Sequence, residues 1–166
     1  REAAPLLAME EELGERFRAF PADLLVPETA PAIMEACAEA FGPIDILVNN
    51  VGAGKSMPLH EATDDDLMFF VNINLGTTFR MSREALKVMM PAKNGVILNM
   101  VSAIAMTAFP GQAPYAAAKG GVIALTKQLA VEYGPYNVRV NAVAPGLIET
   151  PFTAERIKDG TFDGVI

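Results

Sequence analysis

Three short, predominantly hydrophobic runs, separated by longer segments with helical patterns, constrain the fold of this chain more than any other feature. The runs cover residues 44–48, 96–101 and 138–143. The first is almost continuously hydrophobic, which is typical of strands in parallel sheets whose two faces are both covered. An alternation of strands and helices favours right-handed crossovers between them. The sequence therefore predicts an α/β fold with a doubly wound parallel sheet.

The other segments predict one more strand and four helices. Residues 16–20 alternate in the way that is typical of a short strand. Helices are expected over residues 3–13, 29–41, 63–90 and 112–133, and glycine or proline ends the first three of them. Thr63 is expected to cap the third helix, where the run of aspartates from 64 to 66 lies favourably at the positive end.

The composition excludes several classes of protein. Of the 166 residues, 51% are hydrophobic and 20% are charged, so the chain has enough apolar material for a folded domain. The net charge of -7 and the lack of a basic stripe argue against a nucleic-acid partner. No apolar run reaches the roughly 18 residues that a membrane-spanning helix needs, so no membrane partner is expected.

Cysteine and histidine are each present once. Cys37 cannot form an internal disulfide, which favours a reducing compartment such as the cytoplasm. It lies between two alanines of an apolar helix, where packing is the expected role. His60 stands alone in a polar loop and offers no cluster of ligands, so no metal site is predicted.

Tyr115 and Lys119 are the strongest candidates for catalysis. They lie four residues apart in the last predicted helix and therefore share one of its faces. An ammonium beside a phenol favours the phenolate, so Lys119 is expected to lower the pKa of Tyr115 from about 10 toward neutrality. Ser102, which follows the strand at 96–101, could hydrogen-bond the same substrate oxygen. Tyr115 is then a general acid/base, unless it is a core aromatic beside a solvated lysine.

Five motifs, in this order and spacing, resemble the short-chain dehydrogenase/reductase family. They are Asn49-Asn50-Val51-Gly52, Asn74, Ser102, Tyr115 with Lys119, and the segment 145–150 that begins with Pro145-Gly146. Val51 stands where that family has alanine in its Asn-Asn-Ala-Gly turn. The resemblance extends from about Phe17 to Thr153. It implies a Rossmann-like fold and a hydride transfer between NAD or NADP and an alcohol or ketone.

The resemblance also implies a role for each site residue. The catalytic residues would be Asn74, Ser102, Tyr115 and Lys119. The cofactor would be bound by Asp23, Leu24, Asn50, Gly52, Tyr115, Lys119 and Ile148. Every one of these residues is expected near the carboxyl ends of the strands, where ligands bind in folds of this class.

Three of these assignments have structural alternatives. Asn74 is chosen over Asn72 because of its register to Phe79, and in the family its carbonyl holds a water that relays protons to the lysine. A solvated asparagine is the other interpretation. Asp23 would accept a hydrogen bond from the adenine amine, or it is a loop or helix-cap aspartate. Gly52 would let the backbone approach the cofactor closely, or it serves turn geometry alone.

No segment matches the family's glycine-rich opening, Gly-x-x-x-Gly-x-Gly. Residues 1–166 are therefore expected to form a single incomplete domain, truncated at both ends, with an apolar strand edge at 44–48. A non-catalytic fragment or pseudo-enzyme that acts as a packing or binding module is the alternative. When intact, the protein is expected to bind a small-molecule alcohol or ketone and to form a homodimer or homotetramer. The substrate and the choice between NAD and NADP stay open.

Overall fold

The computed structural model of the chain describes residues 4–150 and 153–158. Residues 1–3, 151–152 and 159–166 of the predicted domain lie outside the described residues. In chain order the elements are α1 (Ala4–Leu13), α2 (Thr29–Phe41), β1 (Ile46–Asn49), α3 (Asp64–Phe70), α4 (Thr77–Ala92), β2 (Gly95–Met100), α5 (Ile104–Thr107), α6 (Ala113–Tyr133), β3 (Val138–Val143) and α7 (Ala154–Lys158).

The three predicted hydrophobic strands form one parallel sheet in the order β1-β2-β3. This confirms the predicted fold class, and the strand bounds differ from the predicted ones by no more than two residues. Leu47, Ile97 and Val140 lie side by side across the three strands. All three are buried, so they form part of the core.

The core lies between this sheet and the helices that cover it. Ile97 is fully buried at the centre, and Ala85 and Met89 of α4 pack against the sheet. The other buried members of this cluster are Ala30, Leu47, Met81, Leu86, Val138 and Val140. The long helix α6 packs against β3 and contributes Leu129, Ala130 and Tyr133 to the edge of the core. None of the described helices is long and apolar enough to cross a membrane.

The outer edge of β1 is apolar and open. Ile46 and Val48 are 62% and 53% exposed, and among the described residues only β2 pairs with β1. The predicted apolar edge is therefore present. An exposed hydrophobic edge is a site at which another strand can pair.

The predicted strand at residues 16–20 is wrong. A 3-10 turn at Gly14–Arg16 precedes an irregular segment, and no strand of the described sheet lies beside it. A strand needs a neighbour for its backbone hydrogen bonds. Instead, Glu10 of α1 accepts hydrogen bonds from the Arg18 guanidinium and from the Ala19 N–H.

The predicted helix from 63 to 90 is confirmed in extent but not in regularity. Thr63 and Asp66 form the expected cap, with each side chain accepting the other residue's N–H. A six-residue π-helical segment, Val71–Gly76, then separates α3 from α4. Pro91, predicted to stop the helix, lies within its last turn, and Lys93 in the left-handed region follows the helix end.

Candidate active site

Three segments with predicted site residues follow the carboxyl ends of the three strands. The irregular loop 50–58 follows β1, Ser102 follows β2, and residues 144–150 follow β3. The Ser102 segment is tied to the end of β3, because Val101 donates to the carbonyl of Val143 and Ala103 to that of Pro145. Tyr115 and Lys119 reach the same region from the first half of α6. The fold therefore assembles one site from four separate segments.

Asn74 lies in the π-helical segment and has no exposed surface. Its side-chain amide donates to the carbonyls of Ala53 (2.9 Å) and Phe70 (3.0 Å), and its Oδ1 accepts from the N–H of Ala53 (3.2 Å). The Asn74 amide therefore holds the loop after β1 in place through the N–H and the carbonyl of Ala53. Its main-chain carbonyl accepts a hydrogen bond from the Thr78 hydroxyl at 2.8 Å.

The burial of Asn74 distinguishes it from Asn72, which is exposed. A solvated asparagine is therefore excluded for Asn74, and its role in catalysis stays a prediction. π-Helical turns within α-helices are frequent at functional sites. The buried Asn74 side chain therefore lies within the π-helical segment itself.

Two glycines allow the loop after β1 to pack against the side chains that the sequence predicts to be catalytic. A Cβ atom on Gly52 would lie 2.6 Å from Oδ1 of Asn74 and 3.3 Å from Nζ of Lys119. A Cβ on Gly54 would lie 3.5 Å from the Tyr115 ring, which is an ordinary contact distance. The absence of a side chain at Gly52 therefore lets Asn74 and Lys119 lie close to the backbone of the loop. This is in addition to any role of Gly52 toward a ligand.

Lys119 is a buried ammonium, only 4% exposed. Its Nζ donates to the carbonyl of Met100 at 2.7 Å and lies 5.8 Å from the centroid of the Tyr115 ring. No carboxylate of the described residues forms an ion pair with it. Burial disfavours the charged form, so the pKa of Lys119 falls from 10.5 to about 8.

The predicted lowering of the Tyr115 pKa is wrong for this structure. Burial raises the pKa of the Tyr115 phenol above its ordinary value, and a hydrogen bond with Ser102 opposes this in part. Desolvation penalises the phenolate more than the neutral phenol. Lys119 does not reverse the shift, because its Nζ faces the Met100 carbonyl and is itself desolvated.

Ser102 is buried at the start of the short helix α5. Its Oγ accepts a weak hydrogen bond from the Ile104 N–H at 3.3 Å and also interacts with Tyr115. The Ser102 and Tyr115 hydroxyls therefore lie within hydrogen-bonding reach of one another.

Asp23 acts within its own loop in this structure. Its Oδ1 accepts from the N–H of Leu25 at 2.9 Å, and its carbonyl accepts from the Thr29 hydroxyl at 2.7 Å. These bonds match the alternative interpretation of a loop aspartate near the start of α2. Leu24 is half-buried beside it, and its carbonyl accepts a hydrogen bond from Arg80 at 3.1 Å.

The remaining predicted cofactor residues lie at two places. Leu24 and Asn50 line a shallow cleft between α2 and the end of β1, together with Val51 and Thr77. Ile148 lies beyond β3 with an exposed side chain. Its carbonyl accepts from the Thr153 hydroxyl at 2.6 Å.

Sequence reasoning missed a chain of buried polar side chains beneath the site. Asn49 donates to Ser82 (3.1 Å) and to Oδ1 of Asn99 (2.9 Å), and Asn99 donates to Thr126 (2.9 Å). These bonds connect β1 and β2 to α4 and α6. The signal was available, because Asn99 is a polar residue within an otherwise apolar strand.

His60 is exposed beside Glu61, with 3.7 Å between the imidazole Nε2 and the carboxylate. Within residues 4–150 and 153–158, no three metal-ligating side chains come together.

Comparison with known proteins identifies many similar chains. A model described as short chain dehydrogenase matches residues 1–160. The 3-oxoacyl-[acyl-carrier-protein] reductase FabG of Vibrio cholerae serotype O1 is 38% identical over 141 residues, which is 85% of this chain and 58% of that protein. The 3beta-hydroxysteroid dehydrogenase 1 of Eggerthella lenta is 37% identical over 150 residues, which is 90% of this chain and 58% of that protein.

Solved structures that are similar to this chain include members of the same family. ElxO with NADP bound has a TM-score of 0.83 and 33% identity, covering 90% of this chain and 60% of that one. A short chain dehydrogenase from Mycobacterium smegmatis has a TM-score of 0.82 and 32% identity, covering 89% and 64%. The chain thus spans about three fifths of the length of the relatives that it matches.

Proposed function

The chain belongs to the short-chain dehydrogenase family, and from this premise we propose that the protein is an NAD- or NADP-dependent oxidoreductase that interconverts an alcohol and a ketone. One observation carries the proposal beyond family membership. Asn74, Lys119 and the backbone at Gly52 meet in one buried site, with Tyr115 packed over Gly54 and paired with Ser102. A packing module has no need for a buried ammonium that forms no ion pair with any described residue and lies beside a buried phenol.

The residues present fit a nicotinamide cofactor. The loop after β1 passes close to the site without a side chain at Gly52. The Lys119 ammonium has three donors, and a main-chain carbonyl is its described hydrogen-bond acceptor, so donors are available for ribose hydroxyls. We assign cofactor contacts to Asp23, Leu24, Asn50, Gly52, Tyr115, Lys119 and Ile148. When bound, the nicotinamide would supply or accept the hydride.

The four catalytic residues have separate roles in binding the substrate, transferring the proton and positioning the cofactor. Ser102 and Tyr115 hold the substrate oxygen, and Tyr115 moves a proton to or from it. The raised pKa of Tyr115 keeps the phenol protonated at neutral pH, which suits it to act as the acid when a ketone is reduced. Lys119 positions the cofactor and stabilises negative charge that develops on the phenol. Asn74 holds the loop after β1 against both of them.

The substrate is a small alcohol or ketone. The FabG relatives are named as 3-oxoacyl reductases and the Eggerthella lenta relative as a 3beta-hydroxysteroid dehydrogenase. A 3-oxoacyl thioester is therefore the first compound to assay, and a hydroxysteroid the second.

We also propose a cytoplasmic homodimer or homotetramer without nucleic-acid partners. The net charge of -7 supports the last point. Several large apolar side chains on α3 and α4 are exposed, which supports a subunit interface. They are Leu67, Met68, Phe69, Phe79 and Met90.

Substitution of Tyr115 by phenylalanine tests the function in the full protein. The change removes the acid but keeps the ring, so turnover should fall at least 100-fold, since acid–base catalysis contributes about 10²–10⁴-fold. Cofactor affinity, measured by titration, should change little. Tyr136→Phe is the matched control, because Tyr136 is exposed at the far end of α6. A Tyr115→Phe protein that kept more than about a tenth of the rate would contradict the assignment.

The alternative, a non-catalytic binding module, makes the opposite prediction. Such a protein would oxidise neither NADH nor NADPH with any of the substrates above. Its Tyr115→Phe variant would then be indistinguishable from the parent protein in every assay of turnover.

A further inference from the structure

Arg80 is a half-buried cation of α4 that has no role in the mechanism proposed above. Its guanidinium forms no ion pair within residues 4–150 and 153–158. Its Nε is fully buried and has no hydrogen-bond partner among the same residues. An unpaired buried donor lowers stability, and departures from the usual packing rules are expected at functional sites. Arg80 is therefore a candidate for a role other than stability.

The guanidinium reaches the loop that precedes α2. Nη2 of Arg80 donates to the carbonyl of Leu24 at 3.1 Å. The N–H of the next residue, Leu25, donates to Oδ1 of Asp23 at 2.9 Å. The Leu24 carbonyl and the Leu25 N–H belong to one planar peptide group. Arg80 and Asp23 therefore hold the same peptide group at its two ends.

The peptide that Arg80 holds begins at the wall of the shallow cleft between α2 and the end of β1. Leu24, Asn50 and Thr77 all line this cleft. Arg80 follows Thr77 by three residues, so the two are neighbours on the surface of α4. Nη1 of Arg80 also lies close to the end of the π-helical segment, since a Cβ atom on Gly76 would be 3.2 Å from it. The guanidinium thus connects the π-helical segment to the loop at the cleft.

We propose that Arg80 is a positioning residue that fixes the Leu24–Leu25 peptide and thereby orients the Asp23 carboxylate to bind the adenine half of the cofactor. The proposal rests on the function proposed above, in which Asp23 and Leu24 contact the cofactor. A carboxylate has two oxygens with several lone pairs, so Asp23 keeps its bond to Leu25 while it accepts another. Without the Arg80 donor the peptide is free to turn, and the carboxylate bonded to it turns as well. The loop role of Asp23 and its cofactor role are then parts of one arrangement.

Calorimetric titration of the full protein with ADP-ribose tests this role. ADP-ribose, or its 2′-phosphate if the protein prefers NADP, carries the adenine half of the cofactor and lacks the nicotinamide. Arg80→Met keeps a long side chain and removes every donor, so the Kd should rise about 10-fold, as expected for the loss of one hydrogen bond to a charged group. With saturating cofactor, kcat and the KM of the ketone should each change less than about threefold, because Arg80 acts on cofactor binding and not on the reacting atoms.

Two further variants separate this role from a structural one. A single carbonyl needs a single donor, so Arg80→Lys should recover most of the affinity for ADP-ribose. Arg83→Met is the matched control, because it also removes a guanidinium from α4, one that pairs with Glu84, and it should leave the Kd unchanged. The urea midpoint of Arg80→Met should change little, because the variant loses the bond to Leu24 and also the unpaired Nε donor.

The outcomes are distinct. An unchanged Kd in Arg80→Met, a Lys variant as weak as the Met variant, or an equal loss in Arg83→Met would overturn the role of Arg80 alone. A large fall in the urea midpoint of Arg80→Met, or a parallel loss of kcat, would show a structural role instead and overturn it as well. A wild-type protein that bound neither NADH, NADPH nor ADP-ribose would overturn the proposed function itself.

Discussion

Replacing Gly52 with alanine tests how closely the loop after β1 is packed against the catalytic side chains. The added Cβ would lie 2.6 Å from Oδ1 of Asn74, a separation that real Cβ atoms do not show. Asn74 must therefore move, and its hydrogen bonds with both main-chain groups of Ala53 and with the Phe70 carbonyl cannot all survive. The obstacle is steric and polar, since Gly52 does not have the left-handed backbone that requires glycine.

The magnitude follows from these contacts. Overpacking costs about 1–3 kcal/mol and one unsatisfied buried polar group costs a further 1–3 kcal/mol, so Gly52→Ala should lower the free energy of unfolding by about 2–6 kcal/mol. That is a large part of the roughly 5–15 kcal/mol that stabilises a typical domain. Gly54→Ala is the matched control, because its Cβ would only touch the Tyr115 ring at 3.5 Å. Its free energy of unfolding should change by less than about 1 kcal/mol.

Urea denaturation of the purified protein measures both variants. A double variant with Asn74→Ala separates the steric cause from a general loss of stability. Removing the Asn74 amide makes room for the new methyl group, so the two changes should together cost clearly less than their sum. If Gly52→Ala were as stable as Gly54→Ala, or if the costs of Gly52→Ala and Asn74→Ala simply added, the reasoning would be refuted.

Three other predictions concern single residues. Asn74→Ala should slow turnover more than Asn72→Ala at equal folded fraction, and steady-state kinetics with equal losses would show that the wrong asparagine was chosen. Because the pKa of Lys119 falls to about 8 on folding, the unfolded chain binds this proton more tightly between pH 8 and about 10. The free energy of unfolding should therefore gain a rising contribution with pH over that window, which denaturation of Lys119→Met should lack. Thr63→Ala should cost about 1 kcal/mol through loss of the helix cap with Asp66, and an unchanged urea midpoint would exclude that role.

The sequence predicted the features that depend on local pattern. The three buried strands and the helix at Thr29–Phe41 were placed correctly because their apolar spacing matches their environment. The strand at residues 16–20 was wrong because pairing depends on a neighbour that the segment itself does not encode. The π-helical segment could likewise not be predicted from the sequence, since no periodicity distinguishes it from the helices on either side.

The candidate site likewise combines features that the sequence predicted with features that it did not. Motif order selected Asn74, Ser102, Tyr115 and Lys119, and the structure places them close together. Their catalytic roles stay predictions. The direction of the Tyr115 pKa did not follow, because it depends on how deeply the phenol is buried and on where the lysine points. Both are properties of tertiary packing.

The buried contact between Asn49 and Asn99 also has a consequence for folding. These two residues are direct neighbours in the ladder between β1 and β2. A slip of β1 by one residue would turn Asn49 to the face of the sheet on which Ile46 and Val48 are exposed, and would leave the buried Asn99 without its Asn49 partner. Apart from these asparagines, the apolar runs of β1 and β2 contain little that would favour one register of the two strands over another. The asparagine pair thus supplies an energy gap between the native pairing and its nearest misfolded competitors.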